Sequence, residues 1–108
     1  MPAGKTEYTV KCVETVVAGT DVRAGLFTLA PGEVIPWHCH SEIADHFFVL
    51  AGELTVDTRA PDGRLTLGVG ERHEIAAGEI HQTSNHAATD CRFLLIQGVG
   101  KYDFKSAR

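Results

Sequence analysis

Three imidazoles and one carboxylate in this chain have types and spacing suited to enclosing a single metal ion: His38, His40, Asp45 and His81. One residue separates His38 from His40. Side chains alternate along a β-strand, so both imidazoles point to one face and Cys39 points to the other. Neutral imidazoles with one carboxylate suit iron, manganese, nickel, copper, cobalt or zinc, so the expected cofactor is one divalent transition metal ion. Calcium and magnesium prefer oxygen ligands. Three or four protein ligands leave coordination positions open for water, dioxygen or substrate oxygens. Structural zinc more often uses thiolates in a closed set, and no second cysteine lies near Cys39 in the chain.

Other residues near this set have plainer readings. Glu42 shares strand parity with His38 and His40 and is the substitute carboxylate if Asp45 falls short. His46 follows Asp45 directly, so alternation turns it off the metal face, and His73 reads as solvated or interfacial. His86 is expected near the site's periphery or at the surface. Trp37 is expected to wall the pocket or pack against a partner. Cys12, Cys39 and Cys91 form an odd set without CxxC spacing and read as reduced, packed thiols. Cys39 is the one of the three with an alternative redox or ligand role.

The elements that must position these residues are β-strands. Turn chemistry recurs at short intervals, at Ala18–Asp21, Pro31–Glu33, Ala51–Glu53, Pro61–Gly63, Gly68–Gly70, Ala77–Glu79 and Ser84-Asn85. Between the turns, Ala24–Ala30, Phe47–Ala51, Leu54–Arg59, Arg64–Leu67, Arg72–Ile75 and Cys91–Gln97 read as strands. Asp62-Gly63 is the expected hairpin turn between two of them. No segment carries a capped helical stripe. The spacing predicts an all-β sandwich or barrel. Phe47–Leu50 is apolar on both parities, with Asp45, Phe47 and Val49 expected inward and Phe48 and Leu50 against a second layer. In so short a chain that layer is expected to be a second subunit, giving a homodimer. The tail from Lys101 to Arg108 is expected to fray, or to pack Tyr102 and Phe104 against a partner.

Composition excludes several classes. At 108 residues the chain is long enough for one core, so a single domain over 1–108 is expected. A formal net charge of −4 with scattered Lys and Arg argues against nucleic acid. No apolar run reaches the ~20 residues of a membrane span. Met1 to Thr9 lack the apolar stretch of a secretory signal, and a cytoplasmic protein is expected.

The spacing around the four candidate ligands resembles the two motifs of the cupin family. Gly32, five residues, His38, one residue, His40, four residues, Asp45, six residues, Gly52 is similar to the first motif. Gly70, five residues, Ala76, one residue, Gly78, two residues, His81, three residues, Asn85 is similar to the second. The resemblance covers about 32–52 and 70–85, and it implies a double-stranded β-helix, or jelly-roll barrel, with His38, His40, Asp45 and His81 as metal ligands. It also points to a dimer. There are two departures from the family pattern. Asp45 stands where the family usually has glutamate, and Ala76 where it usually has proline. Aspartate is one methylene shorter, so it reaches the metal directly only if its strand lies closer in.

Three kinds of function fit these residues. The first is a dioxygenase-type metalloenzyme acting on an oxygen-chelating small molecule. The second is a non-redox isomerase, lyase or hydrolase acting on a sugar acid or related metabolite, with the ion as Lewis acid. The third is a ligand-binding module without turnover. A helix-turn-helix regulator has no room in the chain. The expected pocket residues Phe27, Phe47, Phe93 and Leu95 are apolar and tilt the reading toward an uncharged or aromatic-like chelate. An inward-facing arginine (Arg23, Arg72 and Arg92 being the candidates) would instead favour an acidic substrate.

Overall fold

The computed structural model describes residues 8–107, and among them the regular structure is all strand. The strands are β1 (Cys12–Ala18), β2 (Val22–Leu29), β3 (Val34–Cys39), β4 (Ala44–Ala51), β5 (Leu54–Thr58), β6 (Gly63–Leu67), β7 (Arg72–Ile75), β8 (His81–Ser84), β9 (Cys91–Gly98) and β10 (Lys105–Ser106). They form two five-stranded antiparallel sheets. One has the order β1-β2-β9-β4-β7 and the other β10-β3-β8-β5-β6. The inward parities of the two sheets meet in a core of Leu29, Phe47, Val49, Leu54, Val56 and Phe93. Phe93 stacks on Phe27 and packs against Phe47.

The six strands expected from the sequence are present, with ends displaced by a few residues. Strands β1, β8 and β10 were not expected: β1 and β10 carry no half-buried alternating pattern, and Ser84, read as part of a turn, instead ends β8 paired with Val34 and Thr55. All seven residues of β1 are exposed, and β10 has only two residues. The hairpin between β5 and β6 forms, but its turn lies earlier than Asp62-Gly63. Gly63 is already paired with Thr58, and the chain reverses through Ala60-Pro61, where Ala60 has φ 54°. Gly52 is held at φ 74°, and a Cβ there would meet the Asp90 carbonyl oxygen at 2.5 Å, so the β4–β5 turn requires glycine.

A bulge in β3 sets which face the histidines take. Ile35 pairs with Thr83 and His38 with His81, so three steps on β3 match two on β8. Pro36 has no N–H for the ladder and sits inside this irregularity. Without the extra residue, Ile35 facing inward would send His38 outward. With it, Ile35, His38 and His40 are all buried.

Candidate metal centre

The four predicted ligands come together. One ligand atom from each of His38, His40, Asp45 and His81 lies within 4.8 Å of all the others, and all four residues are buried. The three histidines come from the sheet containing β3 and β8, with His38 directly opposite His81. Asp45 comes from β4 in the other sheet, so the cluster spans the gap between the sheets. The shorter carboxylate does reach it. Asp45 Oδ2 is 2.9 Å from His81 Nε2 and 3.2 Å from His40 Nε2. Its other oxygen, Oδ1, accepts a 2.8 Å hydrogen bond from the Gln97 side-chain amide.

Each imidazole is oriented by a backbone carbonyl. His38 Nδ1 lies 2.6 Å from Pro36 O, His40 Nδ1 2.6 Å from Asp103 O and His81 Nδ1 2.9 Å from Glu79 O. A carbonyl only accepts, so each Nδ1 carries the proton and donates it. In the neutral ring Nε2 is then a lone pair. Two such lone pairs therefore face the Asp45 carboxylate, an acceptor-to-acceptor arrangement that only a positive charge among them stabilises. That charge is either a proton shared with the carboxylate or a metal cation. Nδ1 held by an outer partner and Nε2 turned inward is the usual preparation of a metal-binding histidine. The donor set thus fits a divalent transition metal.

The local electrostatics follow from burial and these contacts. Burial pushes His38 down to about 4, aided by the neighbouring His81, so its ring is neutral at ordinary pH. Burial also pushes His40 down, but the Asp45 carboxylate and the Asp103 carbonyl outweigh it and the net direction is up. Asp45 is raised by burial and lowered more by His40 and His81, ending well below the usual carboxylate range.

Motif positions outside the cluster serve the frame. Gly78 N donates to His40 O at 2.7 Å, tying the two motif segments together. Asn85 is fully buried and donates to Leu29 O and Thr89 O, a purely internal tie. Ala76, in place of the usual proline, donates its N–H to Glu79 Oε1 at 3.2 Å, a bond proline could not make.

Several sequence expectations are corrected, while the placements expected of Cys39, His46 and His86 hold. Glu42 is exposed and accepts from Lys101 N, away from the cluster. Trp37 does not wall the pocket, since it lies under the Arg59 guanidinium at 4.0 Å on the opposite face of its sheet. Arg92 and Arg72 lie on the outer face of the other sheet, beside Glu14 and Phe48, and only Arg23 reaches the cavity. Phe93 lies in the core rather than along the cavity wall. Cys39 is half-buried on the far side of β3, opposite Lys105, as alternation requires. His46 lies 3.9 Å from Glu74 at the surface, and His86 is exposed and bonded to Ser84.

The residues that sequence reasoning missed are in the tail. Among its described residues, 101–107, both aromatics pack back onto the histidines of the same chain. Phe104 stacks on the His38 ring at 4.3 Å with planes 13° apart, and Tyr102 lies 5.5 Å from His40. Asp103 supplies the carbonyl that fixes His40, while its carboxylate accepts from Ser41 N at 2.8 Å. The one signal was the pair of aromatics in an otherwise polar tail. The cavity above the cluster holds about 150 Å³. Its wall combines apolar Phe27, Ile35, Phe47 and Leu95 with polar Tyr8, Arg23, Thr83, Gln97 and Tyr102.

The cupin domain family model matches residues 25–97. The chain belongs to the cupin family. Its two sheets form the cupin double-stranded β-helix. A similar solved structure is an uncharacterized conserved protein with a double-stranded β-helix domain from Klebsiella pneumoniae, with TM-score 0.79 and 20% identity over 99% of this chain and 84% of that one. A cupin-2 domain containing protein from Shewanella frigidimarina gives TM-score 0.69 and 21% identity over 83% of this cupin and 82% of its own chain. An oxalate oxidase gives TM-score 0.73 and 20% identity, over 81% of this cupin and 46% of that enzyme. At these identities the likeness is one of fold. No curated protein matches the chain.

Proposed function

We propose that this cupin is a metalloenzyme that holds one divalent transition metal ion through His38, His40, His81 and Asp45. We further propose that it carries out dioxygenase-type chemistry on a small, oxygen-chelating metabolite. The observation that carries the reading is the set of three imidazoles with Nδ1 tied to backbone carbonyls and Nε2 converging on one carboxylate. A bound ion would supply Lewis acidity and, if it is iron, manganese or copper, redox chemistry with dioxygen.

The chain's own residues do the rest. Gln97 holds the second oxygen of Asp45, so the carboxylate presents Oδ2 to the cluster. Phe47, Ile35 and Leu95 exclude bulk water from the inner wall. Burial raises the phenols of Tyr8 and Tyr102, which therefore stay protonated and can donate to substrate oxygens. These two proton donors also support a second reading, a non-redox isomerase or lyase acting through an enediolate. A cavity of about 150 Å³ lies below the usual range of drug-sized pockets and suits a small metabolite.

The deciding experiment is elemental analysis of protein purified without added metal, then reloading and oxygen-electrode assays with a β-diketone panel. Stoichiometric iron with substrate-dependent oxygen uptake is expected. Turnover that persists without oxygen would transfer the assignment to the non-redox reading. Failure to take up any of the six metals would sink both.

A further inference from the structure

Two polar groups in the cavity have no role in holding the cluster. Thr83 is 1% exposed, and its hydroxyl has no hydrogen-bond partner among the described residues. It lies two residues beyond His81 on β8, on the same inward parity, opposite Ile35 and Val56. Leaving a buried hydroxyl unpaired is costly, and in native proteins such groups usually answer to water or a ligand. Val is close to Thr in shape and would fill the same place on an inward parity without that cost.

The second group is Arg23. It is the only cationic side chain in the cavity wall among the described residues, and no described carboxylate lies within salt-bridge distance of it. Its guanidinium stacks 3.9 Å from the centre of the Tyr102 ring, which fixes its direction without neutralising it. Arg23 pairs in register with Gln97, whose amide holds Asp45. The unpaired charge and the cluster therefore line one cavity from two ends. Arg23 is exposed, at the mouth, and the cluster is buried, at the base.

We infer that the ligand of this cavity is a small carboxylic acid whose chelating oxygens sit at the cluster and whose carboxylate, separated from them, pairs with Arg23. Thr83 donates a hydrogen bond to a ligand oxygen at the cluster end. This rests on the metal reading for the chelating end only. The Arg23 end is independent of it, because a guanidinium is charged whatever the base of the cavity holds. Arg23 and Thr83 are thus specificity-determining residues with different signatures. One reads the charge of the substrate and the other its oxygen.

The test uses 4,6-dioxoheptanoate, a β-diketone with a distant carboxylate, and its methyl ester, which keeps the diketone and loses the charge. Binding is measured by NMR titration or calorimetry with the wild type, Arg23→Gln and Thr83→Val, each in metal-free and metal-loaded form. The wild type is expected to prefer the acid by about tenfold, the scale of a charge-assisted contact. Arg23→Gln should erase that preference and leave ester affinity within about twofold of wild type. Thr83→Val should weaken acid and ester alike by about fivefold, while its thermal unfolding midpoint holds or rises.

Equal binding of acid and ester by the wild type would overturn the assignment of Arg23, as would a preference that survives Arg23→Gln. Unchanged affinity in a folded Thr83→Val protein would overturn the role of Thr83. A protein that takes up no metal yet keeps the Arg23-dependent preference would refute the metal reading and leave this one standing.

Discussion

The division of labour within each histidine leads to the prediction that none of the three can be replaced. A ring whose Nδ1 proton is committed to a carbonyl has one nitrogen left, and in His38, His40 and His81 that nitrogen points at the cluster. An open site with few ligands cannot spare one. His38→Ala, His40→Ala and His81→Ala are each expected to lose most bound metal, read as metal per chain after desalting. Full stoichiometry in any one would remove that residue from the ligand set. Asp45 lies as close to the cluster as the histidines do, so Asp45→Ala should lose metal to a comparable extent. A much smaller loss would mean that the carboxylate acts at one remove. Protons compete with the metal for these ligands, and retention should therefore weaken toward acid pH. His40, which the Asp45 carboxylate and the Asp103 carbonyl raise, charges before His38 as pH falls, because burial keeps His38 neutral down to about 4.

At the scale of elements, the site depends on two irregular pieces of backbone. The bulge at Pro36 turns the histidine pair inward. The tail through Asp103, Phe104 and β10 then closes over it, adding a strand beside β3 at Cys39 and His38. Phe104→Ala removes a half-buried ring stacked on His38 and is expected to cost about 1–2 kcal/mol of stability. Truncation after Gly100 also removes the carbonyl that orients His40. Loss of such an outer partner typically weakens metal affinity by about 10- to 100-fold. A competition titration with a chromogenic chelator measures this. Wild-type affinity in the truncated, folded protein would show that the tail is only packing. The tail also carries Tyr102, the platform for Arg23, so one segment serves both ends of the cavity.

At the scale of the molecule, the two sheets are unequal. The outer parity of the β1-β2-β9-β4-β7 sheet presents Leu26, Leu94, Ile96 and Phe48 side by side, through the pairs Leu26–Leu94, Phe48–Leu94 and His46–Ile96. Val17 and Leu50 stand 52% and 48% exposed near its margins. The Glu14–Arg92 pair and His46 beside Glu74 add charge around this apolar patch. A contiguous apolar face with a charged margin has the composition of a subunit interface. The expected outcome is a homodimer through this face, with a dimer mass by light scattering at micromolar concentration and dissociation in Phe48→Glu. A monomer mass for the wild type would rule the interface out. Among the described residues there is no helix long and apolar enough to cross a membrane.

The candidate cluster was legible in the sequence, because residue type and spacing are local properties. His38, His40 and His81 with Asp45, at the intervals given by the flanking glycines, mark both the residues that cluster and the cupin frame. Strand periodicity likewise made β2, β4, β5, β6, β7 and β9 legible. Four things belonged to the tertiary structure. Alternation placed His38 and His40 on one face, but only the bulge chose which face, since a one-residue slip reverses every side chain. The reach of Asp45 depended on the spacing of two sheets, which no local pattern encodes. The tail aromatics found their partners more than sixty residues back in the chain, at His38 and His40. Among three arginines of equal chemistry, only pairing with β9 on the inward parity brought Arg23 to the cavity, and that decided where the pocket carries its charge.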